Sequence, residues 1–224
     1  MTSQYGQDHL VLSLLNGKRQ GFFLDSGASN GVRASNTQLL ETQYGWSGVC
    51  VEPNSGFFAE LIRNRNCLCL NCCLYDRDGD VEFVEAHTIG GILDEYHPTF
   101  LKLARDFTET PAGMPLPTVF KPARTVKSVL KESRAPRVID YWSLDTEGSE
   151  LAILQSFPFD EYSFRVLTVE HNWLPERELI RNLLENRGFN WVREIGCDDC
   201  YVDAETRPSS SWRSRVWSGA RGTR

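Results

Sequence analysis

A chain of 224 residues with 41% hydrophobic content is long enough for one large domain with a substantial core. No run approaches the about 18 uninterrupted apolar residues of a membrane-spanning helix. The formal net charge of −6 argues against nucleic acid as the main partner, because phosphate binding needs a basic surface.

In chain order, "MTSQYGQDHL" has no basic segment followed by an apolar one, so no secretion signal is expected and the location is read as cytoplasmic. "GFFLD" (21–25) reads as a strand, and "SNTQLLETQYG" as a helix that stops at Gly45. "GVCVE" (48–52) is a second strand, "FFAELIRNR" (57–65) a helix, and "CLCLNCCL" (67–74) a third strand. "DVEFVEA" (80–86) alternates like a half-exposed strand. The pattern then weakens over 87–136, which holds Gly90, Gly91 and the prolines at 98, 111, 115, 117 and 122. This stretch is expected to be an irregular insertion that covers a substrate. Regularity returns with a strand at "RVIDYWSLD" (137–145) and a helix at "SELAILQSF" with Ser149 as its N-cap. "FRVLTVE" (164–170) is the next strand. A helix follows from Pro175 to Gly188, and "NWVREI" and "CYVDA" close the chain as a hairpin pair. The aromatics Trp46, Tyr141 and Trp142 read as core. His9, His87 and His97 belong to no constellation.

Strands that alternate with helices imply an α/β fold, a mostly parallel sheet covered by helices on both faces. Residues 1–206 read as one domain and 207–224 as a basic, disordered tail. That tail carries five arginines and no acid, so the rest of the chain stands at about −11. Seven cysteines are an odd number, and "CLCLNCCL" is apolar. Core thiols in a reducing compartment are the preferred reading, ahead of a metal site or disulfides.

In parallel sheets of this kind ligands bind beyond the carboxyl ends of the strands. Asp25 ends the first strand, and "DSGASNG" leads from it to a helix. Glu52 ends the second strand, where an acid suits the two hydroxyls of a ribose. The loop fails the G-x-G-x-x-G dinucleotide pattern, and a carboxylate before the first glycine would repel a pyrophosphate. It would attract an α-ammonium group. Acid, loop and second acid favour S-adenosylmethionine (SAM) over NAD.

The motifs "SQYGQD" (3–8), "GFFLDSGASNG" (21–31), "SNTQLLE" (35–41), "GWSGVCVEPN" (45–54), "IDYWSLDTEGSELAIL" (139–154) and "VLTVEHN" (166–172) together resemble the FkbM family of SAM-dependent methyltransferases. The resemblance runs from about residue 3 to 203. It implies a seven-stranded class I methyltransferase sheet and methyl transfer from SAM, most often to a hydroxyl oxygen. Position by position it assigns Asp25, Gly27, Ala28, Asn30 and Asn36 to the cofactor loop and Glu52 to the ribose. It puts Asn71 or Asp76 near the adenine, and it makes Gln7 and Asp8 a motif that closes over the cofactor.

The second half supplies the reactive end. Asp145 and Glu147 follow the fourth strand; Glu170, His171 and Asn172 follow the fifth. Neighbouring strand ends lie about 5 Å apart, so these groups converge. One chemistry has Asp145, Glu147 or His171 take the proton from an acceptor hydroxyl. The other has Asp145, Glu170 and Asn172 bind Mg²⁺, which would lower the hydroxyl pKa. The acceptor is expected to be a small molecule or glycan. A nucleic-acid methyltransferase and a non-catalytic SAM-binding module are the rival readings.

Overall fold

The computed structural model describes residues 3–206; the basic tail at 207–224 lies outside them. The chain begins α1 (Gln7–Leu14), β1 (Phe22–Ser26), α2 (Gln38–Tyr44), β2 (Ser47–Val51), α3 (Ser55–Asn64) and β3 (Leu68–Leu70). It continues with β4 (Cys73–Leu74), β5 (Gly79–Val84), β6 (Gly91–Ile92), α4 (Leu101–Phe107), β7 (Val119–Arg124) and α5 (Val126–Glu132). It ends with β8 (Val138–Leu144), α6 (Glu150–Ser156), β9 (Ser163–Glu170), α7 (Glu176–Asn186), β10 (Phe189–Ile195) and β11 (Asp198–Asp203).

Seven of these strands form one sheet in the order β3-β2-β1-β8-β9-β11-β10. All run parallel except β11, which is antiparallel to both its neighbours. The class I methyltransferase sheet is therefore present as expected. Each strand sends alternate side chains to opposite faces. Leu24, Val49, Trp142 and Leu167 meet α5, α6 and α7 through Val129, Leu130, Ile153, Leu154, Ile180 and Leu184. Phe23, Cys50, Tyr141 and Val166 meet α1, α2 and α3 through Val11, Leu14, Leu40 and Leu61. A strand that is apolar on both sides needs helices on both sides. Trp46, Tyr141 and Trp142 are buried, as expected. The Trp142 indole still satisfies its N–H by donating to Ser26 Oγ at 2.9 Å.

The helix boundaries follow local chemistry. Gly45 stops α2 in the left-handed conformation (φ 68°). Asn54 caps α3 by accepting from the N–H groups of Gly56 and Phe57. Ser149 precedes α6 but makes no capping bond. Glu150 does that work: its carboxylate accepts from the N–H of Thr146 at 2.6 Å and of Gly148 at 3.0 Å.

Two expectations are corrected. Residues 67–74 are not one strand: β3 pairs with β2, whereas β4 leaves for a second sheet of order β4-β7-β5-β6. The break falls at Asn71, whose side-chain amide donates to the carbonyls of Glu52 and Pro53. Nor is 87–136 an irregular insertion. Its first part is a series of short 3-10 turns and α4; its last part supplies β7 and α5 to the fold. The prolines do not break the fold here: Pro122 sits inside β7 and Pro98 opens a 3-10 turn. All seven cysteines are free thiols. No helix among the described residues is long and apolar enough to cross a membrane.

Candidate active site

The sheet order reverses between β1 and β8, because the chain builds outward to β3 and then returns to the other side of β1. The carboxyl ends of strands diverge at such a point and leave a crevice. A cavity of about 450 Å³ lies there, within the about 300–1,000 Å³ typical of small-molecule sites. The loop after β1 forms one wall. Both Gly27 and Ala28 donate their N–H to Val51 O at 3.0 Å. Gly27 has φ +83°, and a Cβ there would lie 1.8 Å from the carbonyl oxygen of Asp145. Only glycine lets β1 and β8 approach this closely.

The cofactor-side acids differ in their surroundings. Glu52 is 5% exposed. Its two oxygens accept from the N–H of Ser29 and of Asn54, each at 2.7 Å. Burial nevertheless pushes its pKa up to about 7. A carboxylate offers about four acceptor positions, so Glu52 keeps capacity for two further donors. Asp25 also lines the cavity. Its carboxylate accepts from the Thr37 hydroxyl and lies 3.9 Å from Arg65. Burial raises its pKa against the pull of that guanidinium. Arg65 is itself buried, and it also binds Glu41. It thus holds α2, α3 and the end of β1 together.

Ala28, Asn30 and Asn36 line the same cavity. The Asn36 amide donates to Ser143 Oγ at 3.0 Å, while its Oδ1 is buried with no hydrogen-bond partner. An orphaned buried acceptor on a cavity wall matches a ligand that brings a donor. That atom, the free capacity of Glu52 and the glycine-lined close approach fit an adenosyl cofactor with an ammonium group.

The reactive end gathers four carboxylates. Oxygens of Asp145, Glu150 and Glu170 lie within 4.8 Å of one another. Glu147 stands beside them in a left-handed conformation, φ 58°. Asp145 and Glu147 line the cavity and are half-buried. Burial, reinforced by the neighbouring acids, pushes Asp145 up to about 8 and Glu147 up to about 9. Glu170 is raised well above the usual carboxylate range for the same reasons. The cluster holds protons where isolated carboxylates would be ionised.

Several anticipated residues lie elsewhere. Asn172 lines the cavity, and Glu150 is a third acid beside Asp145 and Glu170. His171 lines a neighbouring cleft of about 530 Å³ instead. Its Nδ1 accepts from the Trp173 N–H at 3.0 Å, and burial lowers its pKa. It holds a turn in neutral form. Gln7 donates to Asp198 at 2.9 Å, and Asp8 accepts from Ser3 at 2.6 Å. They brace the N-terminal turn, and Gln4 and Tyr5 of that turn reach the cavity in their place. Asn71 is committed to the backbone at the end of β2. Asp76 pairs with Arg77 and borders the neighbouring cleft.

Tyr5, Arg65, Glu150 and Cys197 escaped the sequence reading. For Glu150 the signal was present: an acid four residues after Thr146, at the first turn of a helix. Arg65 left no signal, because its partners are brought together only by packing. His87, read as ordinary, lines the cavity and stacks on Phe107 with ring centres 5.2 Å apart.

The sequence profile of the Methyltransferase FkbM domain matches residues 25–190. The chain belongs to the FkbM methyltransferase family. It is therefore of a family of SAM-dependent enzymes. The structure is similar to that of the methyltransferase FkbM from Methylobacillus flagellatus, at 14% identity and a TM-score of 0.50. That match covers 82% of this chain and 43% of the other, so the chain spans less than half the length of that relative. Weaker matches are the N-terminal domain of human METTL16 (11% identity, TM-score 0.47, covering 88% of this chain and 67% of that one) and the precorrin-6y C5,15-methyltransferase of Geobacter metallireducens (12%, 0.44, 87% and 85%). No curated protein matches the sequence significantly.

Proposed function

We propose that this FkbM-family protein methylates a hydroxyl oxygen of a small molecule or glycan. The observation that carries the reading is the carboxylate cluster of Asp145, Glu147 and Glu170 at the switch point, against the Gly27 turn. Bound SAM supplies an electrophilic methyl group on a sulfonium. Glu52 would hold the ribose hydroxyls, and Asn36 and the loop after β1 the methionine end. Asp145 is the group we assign as base. Its raised pKa matches proton transfer near neutral pH. An acceptor hydroxyl held beside Asp145 would be the nucleophile toward that methyl group. The hydroxyl proton passes to the Asp145 carboxylate. A cationic donor beside Glu147 and Glu170 would draw their raised pKa values back down, so ionisation of the cluster would favour the cation over its neutral product.

A divalent cation is the second reading, favoured by one observation: three carboxylates of the cluster can reach a common point. Its oxygen donors would be Asp145, Glu170 and Glu150. The second cluster of this kind, His171, Glu194 and Asp199, already has its cation, since Arg177 binds both acids at 2.7 Å. An acidic cleft speaks against a nucleic-acid acceptor.

Calorimetric titration with S-adenosylhomocysteine, with and without Mg²⁺, tests the cofactor assignment. Micromolar binding that is lost in Glu52→Ala supports it; absence of binding under every condition overturns it. Asp145→Asn is expected to retain binding and lose about 10²-fold or more in turnover of an accepted substrate. Wild-type turnover in that variant would refute the base. Turnover abolished by EDTA and restored by Mg²⁺ would choose the cation.

A further inference from the structure

A row of side chains crosses the sheet from the cofactor site to its edge. In the parallel register Asp25 stands opposite Cys50, and Cys50 opposite Cys69. Register partners in a parallel sheet point to the same face, here the face covered by α1, α2 and α3. Cys50 is fully buried within that core, and Cys67 and Cys69 pack against it. Cys67 Sγ lies 3.5 Å from Cys50 Sγ, and Cys69 Sγ lies 3.5 Å from the carbonyl oxygen of Cys67. Arg65, which touches Asp25 at the inner end, lies close enough to attract all three thiols.

We propose that Cys50, Cys67 and Cys69 form a peroxide-sensitive thiol site, whose oxidation to a disulfide through Cys69 weakens cofactor binding at the inner end of the row. The geometry suits a disulfide. Adjacent strands place register partners about 4.8 Å apart, inside the about 4.4–6.8 Å Cα range of disulfides. The neighbouring Cys50–Cys67 sulfur gap of 3.5 Å shows how closely the thiols crowd, about 1.5 Å beyond the about 2.05 Å bond length. The outer strand can give this, since β3 has three residues and only β2 beside it. Access also fits: Cys67 and Cys69 are partly exposed at the sheet edge, whereas Cys50 is not.

The electrostatics support Cys69 as the first sulfur to react. Donation from the neighbouring thiols, aided by Arg65, pulls its pKa below the usual thiol range. Burial pushes Cys50 the other way. The thiolate of Cys69 attacks hydrogen peroxide, the O–O bond breaks, and Cys69 becomes a sulfenic acid as hydroxide leaves. A neighbouring thiol then attacks that sulfur, the S–O bond breaks, and its proton leaves with the oxygen as water. Peroxide is reduced by two electrons, and two thiols become one disulfide. The thiolate charge beside Arg65 is lost. The guanidinium is then left to Asp25 and Glu41, and β2 is drawn toward the edge two residues before Glu52.

The test compares reduced protein with protein treated with stoichiometric hydrogen peroxide and then quenched. Non-reducing peptide mass mapping is expected to find a disulfide within the 50/67/69 set, absent in Cys69→Ser. The affinity for S-adenosylhomocysteine is expected to fall about tenfold, within the about 5–150-fold usual for coupled sites, and to recover with dithiothreitol. Cys69→Ser is expected to bind equally well before and after peroxide. Free or over-oxidised thiols without a bridge would overturn the site. A bridge that leaves the affinity unchanged would overturn the link to the cofactor. The coupling rests on the proposed cofactor reading, but the mass mapping does not. Failure of S-adenosylhomocysteine to bind the reduced protein would refute that reading alone.

Discussion

Raising the pH from 5 to 8 is expected to destabilise the ligand-free protein, with Glu52 as the clearest contributor. In the unfolded chain Glu52 loses its proton near 4.5; in the fold, burial holds the proton up to about 7. Between those values the folded state binds more protons than the unfolded one, so stability falls as pH rises. Glu52 is 5% exposed, which leaves little solvent screening. At about 1.4 kcal/mol per pKa unit the shift corresponds to a loss on the order of 3 kcal/mol by pH 8. For a chain of this size that is a drop in Tm of about 6–12 °C. Asp145 and Glu147, also raised, add to the fall across this whole range, since their unfolded pKa values lie below pH 5 and their folded ones at about 8 and 9, and their partial exposure reduces their share. His171 acts in the opposite sense below pH 6.5, since its pKa is lowered. A Glu52→Gln variant separates the terms, because it shares every other group. Scanning calorimetry of both proteins across this range is expected to show the wild type losing several degrees more than the variant. Parallel curves for the two proteins would refute the assignment of a buried, proton-holding Glu52.

Three substitutions probe the scaffold of the site. Gly27→Ala places a methyl group 1.8 Å from Asp145 O and adds about 1–2 kcal/mol of left-handed strain. It is expected to abolish S-adenosylhomocysteine binding in calorimetry and lower Tm, and wild-type affinity would show that the close approach is not needed. Arg65→Met leaves Asp25 and Glu41 buried without their cation. The expected cost of about 3–5 kcal/mol is read by urea denaturation, and a loss below 1 kcal/mol would mean that water replaces the guanidinium. Trp142→Phe removes the donor to Ser26 Oγ and part of a fully buried ring. It is expected to cost about 1–3 kcal/mol by the same assay, and an unchanged midpoint would contradict it.

Much of this protein is legible in its sequence. Apolar runs such as "GFFLD" and "RVIDYW" report strands buried on both faces, since burial on both sides admits no polar alternation. Their alternation with helical stripes dictates a parallel sheet, and a parallel sheet places Asp25, Glu52, Asp145 and Glu170 at one end. These features are local or follow from connectivity, so a single chain carries them. Tertiary structure decided what each acid does. Glu150 turned inward beside Asp145, and His171 turned away to a neighbouring cleft. Arg65 found Asp25 across 40 residues of chain, and Cys50 found Cys69 through strand register. Side-chain direction at a strand end depends on the turn that follows and on what packs against it. Distances between residues far apart in the chain arise only when the sheet closes and its helices cover it.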